Sequence, residues 1–160
     1  MRRDDFERLY EEHAQPLFGF LAYRTGDTAL AEDLLADTFE RALRARARFD
    51  RRKASEKTWL YAIALNLVRD SARRRSAEAR ALERVPPPAG ETSAGLDAVE
   101  HRDEVRHAME ILSDEEREAI ALRFGADLTV PEMAKLLKQP LPRVEGRVYR
   151  SLRKLREELG

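Results

Sequence analysis

Apolar residues recur at three- and four-residue steps through most of the 160-residue chain, and no stretch of useful length alternates at period two. Side chains three or four apart share one face of a helix, so this pattern predicts an all-α protein. Phe6, Leu9, Tyr10, His13, Leu17 and Leu21 form the first stripe, and Pro16 within it predicts a new turn or a kink. In Thr25-Gly26-Asp27, Gly26 is placed to end that helix and Asp27 to cap the next. A second helix, Thr28 to Arg48, buries Leu30, Leu34, Phe39 and Leu43 and turns Glu32, Asp33, Asp37 and Glu40 outward. Beyond the loop RRKASEK (51–57), an apolar helix begins near Thr58, carries Trp59, Leu60, Ile63, Leu67 and Val68, and ends on Arg73-Arg74-Arg75. Cations at a helix C-terminus offset its dipole, which accounts for one or two arginines better than for three in a row.

From Ser76 the pattern loosens, and PPPAGETSAG (Pro86 to Gly95) is a linker by composition. The chain therefore divides into two small helical domains, 1–76 and 97–160, joined by a flexible Pro/Gly-containing linker over 77–96. The second domain opens with a helix around Leu96 to Leu112. Ser113 and Glu116 then form a capping box for a helix through Ile120 and Phe124, ended by Gly125. Thr129 and Glu132 form another, ahead of a stripe of Val130, Met133, Leu136 and Leu137 that Lys138-Gln139-Pro140 terminates. From Pro142 onward, Val144, Val148, Leu152 and Leu155 occupy one arc, with Arg143, Arg147, Arg150 and Lys154 nearly opposite. Two short helices with a tight break, the second one basic, predict a helix-turn-helix whose second helix suits the major groove of DNA.

The overall charge adds nothing to this, because 30 basic residues balance 30 acidic ones. Its distribution does. Residues 1–40 hold 4 Lys/Arg against 10 Asp/Glu, residues 41–76 hold 12 against 3, and residues 143–156 hold 6 against the single Glu145. An acidic entry followed by basic segments implies separate surfaces for separate partners. The absence of cysteine excludes disulfides and thiolate metal sites, and His13, His101 and His107 lack metal-ligand spacing. No phosphate loop or nucleophile–histidine pair stands out, so neither a cofactor nor catalysis is expected. The seven-residue apolar run from Trp59 to Leu65 is too short to span a bilayer, and the N-terminus lacks a signal core, which predicts no membrane insertion and a cytoplasmic location.

Three segments together resemble a known family. AEDLLADTFERAL (31–43), FDRRKASEKTWLYAIALNLVRDSARRR (49–75) and the region from Leu112 to Leu159 are similar, in order and spacing, to an extracytoplasmic-function (group 4, sigma-70 family) sigma factor of bacterial RNA polymerase. The resemblance implies an alternative sigma factor that binds core polymerase through its clamp coiled coil and flap. It further implies contact with double-stranded and melted promoter DNA and control by an anti-sigma factor. Asp33, Leu35, Asp37 and Glu40 would then face the polymerase. Arg51, Arg52, Lys53, Lys57, Asn66, Arg73 and Arg74 would serve the −10 element, where cations follow a displaced strand. Arg143, Arg147, Tyr149, Arg150 and Lys154 would serve the −35 element, with Arg suited to guanine edges and Lys154 to phosphate. Trp59 matches the family's tryptophan but sits in an apolar run that favours core packing over base stacking. The sequence departs from the family at Ala36 (often Gln), Glu56 (commonly aromatic), Pro142 (often Gly), Glu145 (often Lys) and Gly146 (often Ser). Two other readings of the residues stand beside this one: a helix-turn-helix regulator without polymerase binding, and a degenerate sigma-like protein-interaction module.

Overall fold

The computed structural model describes residues 1–82 and 99–160, with side chains in the second stretch from Glu104 onward. Of the expected linker, 77–96, residues 77–81 are helical, continuing the helix that ends at Ala81, and its Pro86 to Gly95 stretch lies outside the described residues. Those residues form helices and turns and contain no strand. In chain order the helices are α1 (Arg3–Thr25), α2 (Thr28–Ala45), α3 (Glu56–Ala81), α4 (Val99–Glu110), α5 (Asp114–Ile120), α6 (Val130–Leu137) and α7 (Leu141–Leu159). A 3-10 turn, Arg46–Arg48, follows α2, and a π-helical turn, Ala121–Gly125, follows α5.

Local chemistry sets most boundaries. The Asp27 carboxylate accepts from the Leu30 amide at 3.1 Å, and Gly26, at φ +69°, donates its amide to the Ala22 carbonyl. Ser55 accepts from the Thr58 amide at 3.1 Å, so α3 begins two residues before Thr58, and it runs past Ser76 to Ala81. Both expected capping boxes are present, Ser113 with Glu116 and Thr129 with Glu132. Lys138 ends α6 in the left-handed region at φ +54°.

Two expectations about packing change. Pro16 does not divide α1, which is one helix across it; Leu17, Phe20 and Leu21 are wholly buried immediately after the proline, and their packing outweighs the hydrogen bond it removes. Leu43, expected inside, is 39% exposed, because the inward stripe of α2 runs through Leu34, Thr38 and Phe39 to Ala42.

Helices α1, α2 and α3 bury Leu9, Phe20, Leu34, Phe39, Leu60 and Leu65 among themselves. Each such side chain contributes about 1.5–3 kcal/mol. Helices α4, α5 and α7 share a smaller cluster of Met109, Leu112 and Ile120. The larger core nevertheless continues across the division between the two parts, taking in Leu122, Leu128, Met133, Leu136, Val144 and Val148. Helix α1 packs on the π-turn and α3 on α6. At the first contact Gly19 meets Gly125 backbone to backbone: a Cβ on Gly125 would lie 2.8 Å from the Gly19 carbonyl oxygen and 2.9 Å from the Tyr23 ring.

Candidate functional site

Charge is unevenly distributed among the helices, with both signs on each of α2, α3 and α7. On α2, Asp33, Ala36, Asp37 and Glu40 are all exposed, while Leu35 is half-buried and packs against the core. Spacings of three and four residues put Asp33, Asp37 and Glu40 on one face. Glu40 pairs with Arg44 at 2.6 Å; Asp33 and Asp37 have no ion-pair partner among the described residues. Asp33 and Asp37 can meet a cationic protein surface without first breaking an internal ion pair, whereas Glu40 must release Arg44.

The loop before α3 forms an open cleft of about 440 Å³ against α1, lined by Arg8, Glu12, His13, Arg51, Glu56 and Lys57. Glu56 sits between Arg51 at 3.4 Å and Arg8 at 3.7 Å. Burial lowers the His13 pKa and the Lys57 ammonium adds to the effect, against an opposing pull from Glu12. Arg52 pairs with Asp50 at 3.4 Å, Arg73 pairs with Asp70, and Lys57 reaches Glu132 of α6 at 3.0 Å. Lys53, Asn66 and Arg74 are exposed and have no such partner among the described residues. Trp59 is half-buried with its ring 5.1 Å from that of Phe49, the packing its apolar surroundings imply.

On α7 the basic residues divide into two kinds. Arg143, Tyr149 and Arg150 are exposed, and the Arg153 guanidinium lies over the Tyr149 ring at 5.2 Å. Arg150 folds back along the helix over Gly146, where a Cβ would come within 2.9 Å of its guanidinium. Arg147, expected to face outward with them, is only 13% exposed: it donates to the Gln139 side chain at 2.9 Å and lies 3.8 Å from Glu115. Lys154 pairs with Glu116 at 2.8 Å, and its hydrogen bond, ahead of the Ser113 contacts, holds the Glu116 carboxyl below its ordinary pKa. Val144, Val148 and Ser151 are the buried positions of this helix, the Ser151 hydroxyl donating to the Arg147 carbonyl at 2.7 Å.

Sequence reasoning missed a third set of residues, where α1 and α3 meet the C-terminal helices. Arg69 makes a two-pronged pair with Glu118, at 2.9 and 3.0 Å, and the Glu118 side chain is 8% exposed. Arg24 is buried 3.9 Å from Asp114, and its burial lowers its pKa. Burial also pushes the Tyr61 hydroxyl pKa well up, with Glu132 and Asp127 adding to it. Glu132 itself titrates below its usual value: burial raises it, but the Thr129 amide and the Lys57 ammonium outweigh that. The Tyr61 hydroxyl and the Arg24 Nε have no hydrogen-bond partner among the described residues, each at a cost of about 1–3 kcal/mol. Gly19 carried the one available signal, since a glycine inside a helix is disfavoured by about 1 kcal/mol and marks a close approach.

An all-α chain with an acidic helix face, a cationic loop and a C-terminal helix-turn-helix belongs to the class of multi-part DNA readers that also dock on a protein. Comparison with known proteins gives the family. Residues 9–78 match the model of Sigma-70 region 2, and residues 108–157 match Sigma-70, region 4. RNA polymerase sigma factor CarQ of Myxococcus xanthus is 34% identical, over 99% of this chain and 91% of its own length. ECF RNA polymerase sigma factor BldN of Streptomyces coelicolor is 33% identical over 95% of this chain, which spans 59% of that protein. Among solved structures, the sigma factor RpoE in complex with the anti-sigma factor NepR from Bartonella quintana aligns with a TM-score of 0.76 and 25% identity, covering 97% of this chain and 96% of that one. CnrH in complex with the cytosolic domain of CnrY aligns at 0.74 and 25% identity, covering 99% and 89%. The chain belongs to the extracytoplasmic-function sigma factors of the sigma-70 family. It is an alternative sigma factor that directs promoter-specific transcription initiation by binding core RNA polymerase and DNA, not by catalysis. No helix among the described residues is long and apolar enough to cross a membrane.

Proposed function

We propose that the work of this sigma factor is divided among the three charged surfaces, with residues 1–76 and 97–160 as its two working domains and 77–96, whose first five residues extend α3, as the connection between them. The α2 face around Asp33, Asp37 and Glu40, with Leu35 beside it, takes the basic clamp coiled coil of core polymerase, and the C-terminal domain takes the flap. Arg51, Arg52, Lys53 and Lys57, with Asn66, Arg73 and Arg74 along α3, follow the melted −10 strand, and the cleft at Glu56 receives an unstacked base. Arg143, Tyr149 and Arg150 contact the −35 duplex directly. Arg147 braces the turn between α6 and α7 through Gln139 and reaches DNA only by exchanging that contact, while Lys154 supplies phosphate contact at the far end of the helix. The observation that carries this reading is the uneven distribution of charge: Asp33 and Asp37 exposed and unpaired among the described residues on α2, and clustered cations on the 51–57 loop, α3 and α7. The cytoplasm, where polymerase and promoter are found, is the compartment it implies.

The aligned RpoE structure holds a sigma factor against the anti-sigma factor NepR, which supports an anti-sigma partner here as well. With no cysteine in this chain, any thiol switch belongs to that partner. Reconstitution with core polymerase and a promoter library, read as run-off transcripts, tests the whole assignment. Discrete promoter-dependent transcripts are expected. A chain that forms no complex with core and gives no transcript would contradict it, and a complex without DNA opening would mark a degenerate protein-interaction module.

A further inference from the structure

Helix α7 carries 6 basic residues between positions 143 and 156, with the single acid Glu145 among them. Every carboxylate of α5 and α6 is paired with a cation: Asp114 with Arg117, Glu115 with Arg147, Glu116 with Lys154, Glu118 with Arg69 and Glu132 with Lys57. Glu145 is exposed and makes no ion pair or side-chain hydrogen bond among the described residues. The helix itself denies it one, since the positions three and four away hold Leu141, Pro142, Val148 and Tyr149. It is also the fifth residue of α7, in the part of a recognition helix that meets base edges. An unneutralised carboxylate there is repelled by phosphate, so it favours DNA only where the groove offers it a donor.

The neighbouring geometry says which donor. Val144, Val148 and Ser151 are the buried positions of α7. A rotation of about 100° per residue then puts Glu145 and Tyr149 on one shoulder of the exposed surface and Arg143 and Arg150 on the other, with Pro142, Gly146 and Arg153 along the crest between them. The Arg150 guanidinium folds back onto that crest, where a Cβ on Gly146 would lie 2.9 Å from its Nη1. A donor fork over position 146 and a bare acceptor at 145 are thereby offered to the groove together. In the major groove guanine shows two acceptors, thymine an acceptor and a methyl, and only adenine and cytosine show an amino group. Adenine sets its N7 lone pair beside that group, against a carboxylate, whereas cytosine shows the amino group alone. We propose that Glu145 is a specificity-determining residue that accepts from the N4 amino group of a cytosine in the −35 element, beside a guanine read by Arg150, and that Gly146 is the positioning residue for that arginine. The inference rests on assigning α7 to the −35 duplex.

The test is a selection: holoenzyme assembled on core polymerase is mixed with duplexes randomised across the −35 region, and the bound fraction is sequenced. Wild type is expected to enrich a motif holding a guanine and, beside it, a cytosine favoured at least about fivefold over other bases. Glu145→Gln should move the cytosine position to adenine, because an amide both accepts from N6 and donates to N7. Glu145→Ala should flatten that position and no other. Arg150→Ala should flatten the guanine position, and Gly146→Ala should weaken the same position while leaving the cytosine. Alanine favours a helix over glycine, so the Gly146→Ala chain should unfold no earlier than wild type on heating, which separates a displaced arginine from a damaged fold. A Glu145→Ala motif unchanged at every position, with or without tighter binding overall, would overturn the proposal, since the carboxylate would then only repel phosphate. Equal flattening of all positions by Glu145→Ala would overturn it too. A wild-type holoenzyme that binds core and selects no −35 motif would instead overturn the assignment of α7 to the −35 duplex, and the role of Glu145 with it.

Discussion

The acidic face of α2 and the basic surfaces of α3 and α7 hold their charge differently: Glu40 pairs with Arg44 but the two aspartates are bare, whereas many of the cations are paired and Lys53, Arg74, Arg143 and Arg150 are exposed without an ion-pair partner among the described residues. Asp33 and Asp37 are exposed and unpaired among the described residues. Arg51, Arg52, Lys57, Arg73 and Lys154 each pair with a carboxylate of the same chain, and Arg147 is held by Gln139 and Glu115. A bare face meets a complementary surface at once, and such charges steer encounter and set specificity. A paired cation must exchange an internal carboxylate for a phosphate, so its net gain from DNA is smaller. On the proposed assignment of these surfaces, part of the DNA-facing charge must be released first while Asp33 and Asp37 need no such exchange.

The comparison breaks most visibly at α2. Replacing Asp33 and Asp37 together by Arg should lower affinity for core polymerase about 100-fold, within the range for charges desolvated at an interface, as measured by competition with wild type. Arg147→Ala and Arg150→Ala sharpen the other side, since both residues are basic and on one helix but only one is held inside. Arg147→Ala should lower unfolding stability by about 1–2 kcal/mol in urea titration, as expected for lost hydrogen bonds to a charged group, and it should weaken promoter binding without changing core affinity. Arg150→Ala should stay within about 0.5 kcal/mol of wild type in stability while also weakening −35 binding. At the cleft, Glu56→Gln frees Arg8 and Arg51 from their shared carboxylate. Affinity for single-stranded DNA should rise a few-fold, and the slope of log affinity against log salt should steepen by about one.

The smallest effect concerns acid. Glu132 titrates below its ordinary 4.5 in the folded chain, where burial is outweighed by the Thr129 amide and Lys57. A depressed carboxyl pKa adds stability that is fully present above the ordinary value and disappears as pH falls through the folded one. The pH dependence of urea unfolding should therefore steepen below about 4.5 in wild type and less so in Glu132→Gln.

What could be read from the sequence was what depends on neighbours along the chain. Asp27, Ser113 and Thr129 cap helices through bonds to residues three positions on, and Val144 and Val148 mark the inner stripe of α7 by their spacing alone. The acidic face of α2 was legible for the same reason. The seam was not, because Arg69 and Glu118 lie 49 positions apart and each alone looks like an ordinary surface charge. Arg147 failed for a related reason: periodicity gave its direction on α7, but the turn at Lys138 brings Gln139 back within its reach. Pro16 shows packing overruling a local rule, since the buried side chains that follow it keep α1 in one piece.

A crossed titration tests the division between the two kinds of surface most directly. The Asp33→Arg/Asp37→Arg and Arg143→Ala/Arg150→Ala chains are each titrated against core polymerase alone and, as the assembled holoenzyme at saturating core, against a −35 duplex. The first pair should lose core affinity and keep duplex affinity, and the second should do the reverse. Equal losses on both axes from either pair would contradict the assignment of polymerase and DNA to separate faces.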